Sequence, residues 1–165
     1  MKILSFLILF LGLTFNAQVS KSISVTGDVI KPITINFNDL KSYQQHSVES
    51  LPIYNHKMDY KSTLKQIKGV LLKDVLSKVD CKTDSPRLLS EFYFVFIADD
   101  GYKVVFSWNE IFNSSNGDQA LIVTELNGSD ASELKENMML VTPTDKATGR
   151  RYVKNLSKIV IQQVK

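Results

Sequence analysis

The sequence predicts a single α+β domain, rich in strands and carrying a few short helices. Three observations predict it. The stretch Phe92 to Trp108 reads FYFVFIADDGYKVVFSW, in which seven apolar residues run into Asp99, Asp100 and Gly101 before a second apolar run reaches a tryptophan. Asp-Gly supplies the positive φ angles of a two-residue hairpin loop, so this stretch reads as two strands and a tight turn. Its first strand lacks alternation, which predicts burial on both faces. Secondly, Leu72, Val75, Leu76 and Val79 fall at i, i+3, i+4 and i+7 and form one apolar helical stripe. Thirdly, 165 residues with 44% apolar and 22% charged side chains have the makeup of one globular domain. Nothing repeats internally and no linker divides the chain.

In chain order, Lys2 is followed by the uncharged run Ile3 to Leu13 and then by a more polar Thr-Phe-Asn-Ala-Gln segment. A bilayer span needs about 18 or more apolar residues, so this is the plan of a secretory signal peptide. The expected cut follows Ala17, dividing the chain into a signal peptide at 1–17 and a domain at 18–165. No cysteine lies nearby to carry a lipid anchor. Cleavage removes one lysine and no acid, leaving 19 basic and 17 acidic residues. That balance argues against nucleic acid or an anionic membrane surface as partner. Cys81 is the only cysteine, so the exported protein would fold without an internal disulfide. Export to a bacterial periplasm or secretion beyond it is the expected address, and no membrane span is expected once the signal is removed.

Ser22 to Val29 alternates, with Ile23 and Val25 on one face of a first strand, and Gly27-Asp28 offers a bend or bulge. Lys31-Pro32 interrupts before Ile33, Ile35 and Phe37 resume a second strand. Asn38 reads as the N-cap of a short helix, with Asp39 in its first turn. Residues 44–66 are polar and broken by Pro52, with extended patches that predict two strands or a strand and a long loop. The helix bearing the Leu72 stripe is expected from Gly69 to about Asp80. After the hairpin, Ser107-Trp108-Asn109-Glu110 fits a capping box for another short helix. Ala120 to Leu126 reads as a strand closed by the turn pair Asn127-Gly128. Met138 to Val141 and Ile159 to Val164 are the last strands, separated by a polar loop from Thr142 to Gly149 and a turn at Asn155.

Taken in order, these pieces resemble a known family. The strings SVTGDVIKPITINFNDL, KGVLLKDVL, ADDGYKVVFSWNEI, LNG, LVTPTD and GRRYVKNLSKIVI resemble the oxidoreductase molybdopterin-binding domain of sulfite oxidase and its bacterial relatives, across essentially all of residues 22–164. The resemblance implies an α+β domain with a curved mixed β-sheet and a few short helices. It also implies molybdopterin as cofactor, with a cysteine thiolate on molybdenum placed between the Asp-Leu helix and the Gly-Val-x-Leu helix. Here that interval, Lys41 to Lys68, contains no cysteine. Ile53-Tyr54-Asn55-His56-Lys57 stands where catalytic members carry a Cys-x-Gly-Asn type of motif. Cys81 is a poor substitute, since it follows the C-terminal end of a helix, where the dipole disfavours thiolate.

Lys146, Arg150, Arg151 and Lys154 are candidate anion contacts, because a pterin cofactor carries a phosphate and arginine forks bind its oxygens in pairs. An ordinary solvated charge run accounts for the same residues and is favoured. His46 and His56, with Asp59 nearby, match neither structural nor catalytic zinc spacing, so no metal ligand is assigned. No catalytic residue is assigned either: the histidines have no partnered nucleophile, and Asp99 and Asp100 have a turn to make. Tyr102 and Trp108 could line a pocket, though aromatics flanking a hairpin more often pack against the core or sheet edge. The expectation is an exported binding module for a small molecule or a cell-envelope protein, with the sheet in place and the molybdenum chemistry lost. The alternative is a molybdopterin-dependent oxidoreductase, or a subunit of one, whose cofactor is held by non-cysteine contacts.

Overall fold

Alternation places Ile23 and Val25 in the core and makes β1 (Ser22–Gly27) the seat of one sheet. The computed structural model describes residues 21–165, so the expected signal peptide at 1–17 lies outside the described residues. Strand β2 (Ile33–Asn36) returns antiparallel to β1. Its chain then turns into α1 (Phe37–Leu40), where Asp39 accepts the Asn36 backbone N–H at 2.9 Å. The cap is therefore Asn36 and not Asn38. Phe37 and Leu40 enter the core from this one turn, which fixes where the helix must begin.

The polar segment 44–66 resolves into two strands, β3 (His46–Tyr54) and β4 (Tyr60–Leu71), paired antiparallel. Residues 69–71 belong to β4, whose Gly69, Val70 and Leu71 pair with a later strand, β7 (Leu121–Leu126). The helix expected from Gly69 is consequently only α2 (Leu72–Leu76). Its stripe is real, since Leu72, Val75 and Leu76 are buried, but Val79 is reached through a turn in which its N–H meets the Leu76 carbonyl.

The central hairpin joins β5 (Phe92–Ala98) to β6 (Lys103–Ser107). Its loop has three residues, not two. The Gly101 N–H bonds the Ala98 carbonyl, the Ala98 N–H bonds the Tyr102 carbonyl, and Gly101 takes φ +86°. This is a turn followed by a left-handed residue, the usual three-residue solution. Phe92, Phe94, Phe96 and Ala98 are buried, whereas Tyr93, Val95 and Ile97 are half-buried. Burial on both faces is thus met fully on one face and partly on the other. Ser107 caps α3 (Trp108–Phe112): its hydroxyl accepts the Glu110 N–H at 3.1 Å and its N–H donates to the Glu110 carboxylate at 2.9 Å.

Strand β7 turns through Asn127 and Gly128, both at positive φ, into β8 (Ser129–Asp130). Met138 has φ +46°, which shortens the next strand to β9 (Leu140–Val141) beside β7. The last strand, β10 (Leu156–Gln163), starts three residues before its expected position. The first sheet runs β2-β1-β10-β5-β6, with β1 and β10 parallel and the other pairs antiparallel, so it is the mixed sheet expected. The remaining strands form a second, antiparallel sheet, β3-β4-β7-β8, with β9 beside β7. The fold is a single α+β domain with one core, in which Phe96 packs edge-on against Phe106 at 5.2 Å between ring centroids.

Candidate functional site

The loop between β9 and β10 meets the end of β3, and the junction is filled. Thr148 is buried, donates from Oγ1 to the Pro52 carbonyl at 2.6 Å and accepts the Tyr54 N–H at 3.0 Å. A Cβ on Gly149 would stand 2.8 Å from the Tyr54 carbonyl oxygen and 3.2 Å from Ile53 Cγ2. The loop therefore seals part of the outer edge of β3. Segments 44–66 and 142–154 come together as a packed contact, not around a hollow.

The four basic candidates do not converge. Arg151 turns inward, where Nε bonds one Asp145 oxygen at 2.7 Å, Nη2 bonds the other, and Nη1 reaches Glu110 at 2.8 Å. Its guanidinium also lies over the Phe106 ring, 4.2 Å from the centroid. Hydrogen bonding to Asp145 outweighs the cost of burial and pushes the Arg151 pKa above its ordinary value. Burial alone would raise the Glu110 carboxyl, but the Ser107 N–H and Arg151 outweigh it and hold the group below its ordinary range. Lys154 is exposed, pairs with Glu136 at 2.8 Å and stands 5.2 Å from the Tyr152 ring centroid. Lys146 and Arg150 are exposed and make no ion pair among the described residues. The Arg150 carbonyl accepts the Tyr102 hydroxyl at 2.5 Å, which ties the central hairpin to this loop.

The histidines are held apart. His46 opens β3 and His56 lies in the turn beyond its far end, a separation of roughly 25 Å at strand rise. Asp59 is bound within that turn, accepting from the Asn55 amide at 3.0 Å. Among the described residues no group of three or more His, Cys, Asp or Glu could hold a metal ion.

Cys81 is half-buried and bridges to Val29 beyond the end of β1. Burial, and then the charge of Asp80, push its thiol pKa up. A thiolate on molybdenum needs the opposite shift. The thiol also lies at the rim of the first sheet, whereas the interval implied for the metal-binding cysteine is the β3–β4 hairpin of the second sheet. The residues present do not fit a thiolate-bound molybdenum.

Cys81 instead borders an open cleft of about 460 Å3. Leu76 and Leu89 line it with Trp108 and Phe112, and Asp80 and Asp84 stand at it. The rings of Trp108 and Phe112 are 5.1 Å apart between centroids and tilted by 35°. In the sequence Trp108 reads as a hairpin-flanking aromatic, and neither Asp80 nor Asp84 is given a role at a site. Their meeting was not legible, because the connection 77–91 must fold back over α3 to create it. The one local signal was the capping box at Ser107, which fixes the direction of α3 and hence of both rings.

No protein-family model matches the chain, and comparison with curated proteins finds no match. Among solved structures the chain is similar to the sulfane dehydrogenase SoxCD from Paracoccus pantotrophus, with a TM-score of 0.65 at 16% sequence identity. The alignment covers 88% of this chain and 39% of that one, so the chain spans well under half the length of its structural neighbour. The likeness is one of fold, and the fold is sulfite oxidase-like.

Proposed function

We propose that this chain is an exported protein of sulfite oxidase-like fold that acts as a binding module, with a small molecule or a cell-envelope protein as partner, and not through molybdenum redox chemistry. The observation that carries the reading is the absence of any cysteine between Lys41 and Lys68, where the resemblance implies the metal-binding thiolate. The engagement of Arg151 by Asp145 and Glu110 supports it, because the strongest phosphate-binding fork in the basic group is already occupied.

The likeness to a sulfane dehydrogenase favours a second reading, a molybdopterin-dependent oxidoreductase that grips its cofactor without cysteine. Lys146 and Arg150 are then the side chains left to hold a phosphate.

Elemental analysis for molybdenum, with pterin fluorescence, on protein exported by a host that makes the cofactor separates the two. The binding-module reading expects neither at stoichiometric level. Stoichiometric metal and pterin, lost in a Lys146→Ala, Arg150→Ala variant, would establish the second reading instead. Mass spectrometry of the exported protein tests the address, with Gln18 as the expected first residue.

A further inference from the structure

We propose that the cleft between α2, the 77–91 connection and α3 binds a small organic cation, one with a flat apolar body and an ammonium or amidinium head. This deepens the binding-module reading and rests on it. At about 460 Å3 the cleft has room for a small molecule, since such sites run to roughly 300–1,000 Å3.

Its wall is apolar and rigid. Leu76 is fully buried at its base, and Phe112 is backed by Phe94, with ring centroids 6.2 Å apart. The Ser107–Glu110 box holds α3, while Thr83 Oγ1 bonds the Ser85 carbonyl at 2.9 Å and Ser85 Oγ accepts the Arg87 N–H at 3.3 Å. The Thr83 and Ser85 hydroxyls are thus engaged in shaping the loop.

Charge decides the ligand class. Among the described residues the lining carries two carboxylates, Asp80 and Asp84, and no basic side chain. Neither carboxylate has a hydrogen bond or ion pair among the described residues. The nearby lysines lie outside the lining: the Lys78 ammonium stands 4.4 Å from the Tyr43 ring centroid, and Lys82 and Lys165 line a neighbouring hollow that Asp84 borders as well. A cationic head would meet both carboxylates while its body lies against Trp108 and Phe112, whose ring faces also attract positive charge. An anionic head in the same place would be repelled by both carboxylates. The Cys81 thiol at the border is neutral near pH 7 and adds apolar surface.

Trp108 is the only tryptophan in the chain, so its fluorescence reports this cleft alone. The test titrates the mature protein with benzyltrimethylammonium and, separately, with phenylacetate. The expected result is a saturable change with the cation and none with the anion. Asp80→Asn with Asp84→Asn should weaken the cation by roughly tenfold, as loss of two partly solvated charge contacts would, with an unchanged melting temperature because both side chains are exposed. Lys82→Ala, facing the adjacent hollow, should retain affinity.

No saturable response, an equal response to phenylacetate, or undiminished binding by the double asparagine variant would overturn the proposal. Molybdenum and pterin are measured on the same preparation. Cofactor at stoichiometry removes the wider reading whatever the cleft binds, whereas a silent cleft in cofactor-free protein removes only this inference.

Discussion

Arg151 and Lys154 are three residues apart and both pair with carboxylates, yet their surroundings give the two pairs different weights. Arg151 and Asp145 are largely buried, with side-chain exposures of 16% and 13%, so removing the guanidinium leaves a carboxylate without its counter-charge. Arg151→Ala should cost about 3 kcal/mol in urea denaturation, the scale for breaking a buried pair. Lys154 and Glu136 are each nearly half-exposed, and Lys154→Ala should cost no more than about 0.5 kcal/mol. Equal costs would mean that the inward turn of Arg151 is wrong. Gly101 offers a cleaner case, because a Cβ there meets nothing within 4 Å and only its φ of +86° opposes substitution. Gly101→Val should lower stability by roughly 1–3 kcal/mol through backbone strain, checked by the same denaturation. His56→Ala should fall within about 0.5 kcal/mol, as expected for an exposed turn position.

At the scale of elements, α3 depends most visibly on its first turn. It has five residues, too few to stand on helix propensity, and both halves of its capping box are made. Ser107→Ala should cost about 1 kcal/mol of stability, and thermal melting at neutral pH measures it. This helix start was legible in the sequence because the signal lies within four residues. The β1 alternation and the Asn127-Gly128 turn were legible for the same reason. The end of β4 was not: Gly69 to Leu71 carry a helix-like pattern, but pairing with β7 draws them into strand. The β3–β4 hairpin was hard to divide because most of β3 before Leu51 and the first half of β4 are polar or exposed, so neither period stands out. The three-residue loop at Gly101 differs from a two-residue one by a single unpaired residue, which an Asp-Asp-Gly string does not settle. For the basic group the sequence supplied the charges but not the carboxylates that meet them, since Glu110 lies 41 positions from Arg151.

Across the whole molecule, depressed carboxyl groups set the response to acid. The Lys41 hydrogen bond, with those from Ser132, holds Asp130 at a pKa of about 2. Its unfolded value is about 3.9, so the folded state binds this proton less readily and gains stability above that value. That gain is lost as pH falls from about 5 to about 2, and Glu110, also depressed, adds to the same loss. Melting temperature measured from pH 6 down to pH 2 should fall over that window, and Asp130→Asn should make the fall shallower. An unchanged slope would show that this carboxylate does not contribute. The order of strands has a consequence of another kind, for the route to the native state. The middle strand of the first sheet, β10, is the last to emerge, and Ser24 finds Ser157 across 133 residues of chain. Until then β1 has only β2 beside it and β5 has only β6, so the sheet exists as two separate hairpins with an open edge on each. Closing loops of that length is slow. The interval before closure is when the chain's Phe-rich edge is most apt to pair with the wrong strand.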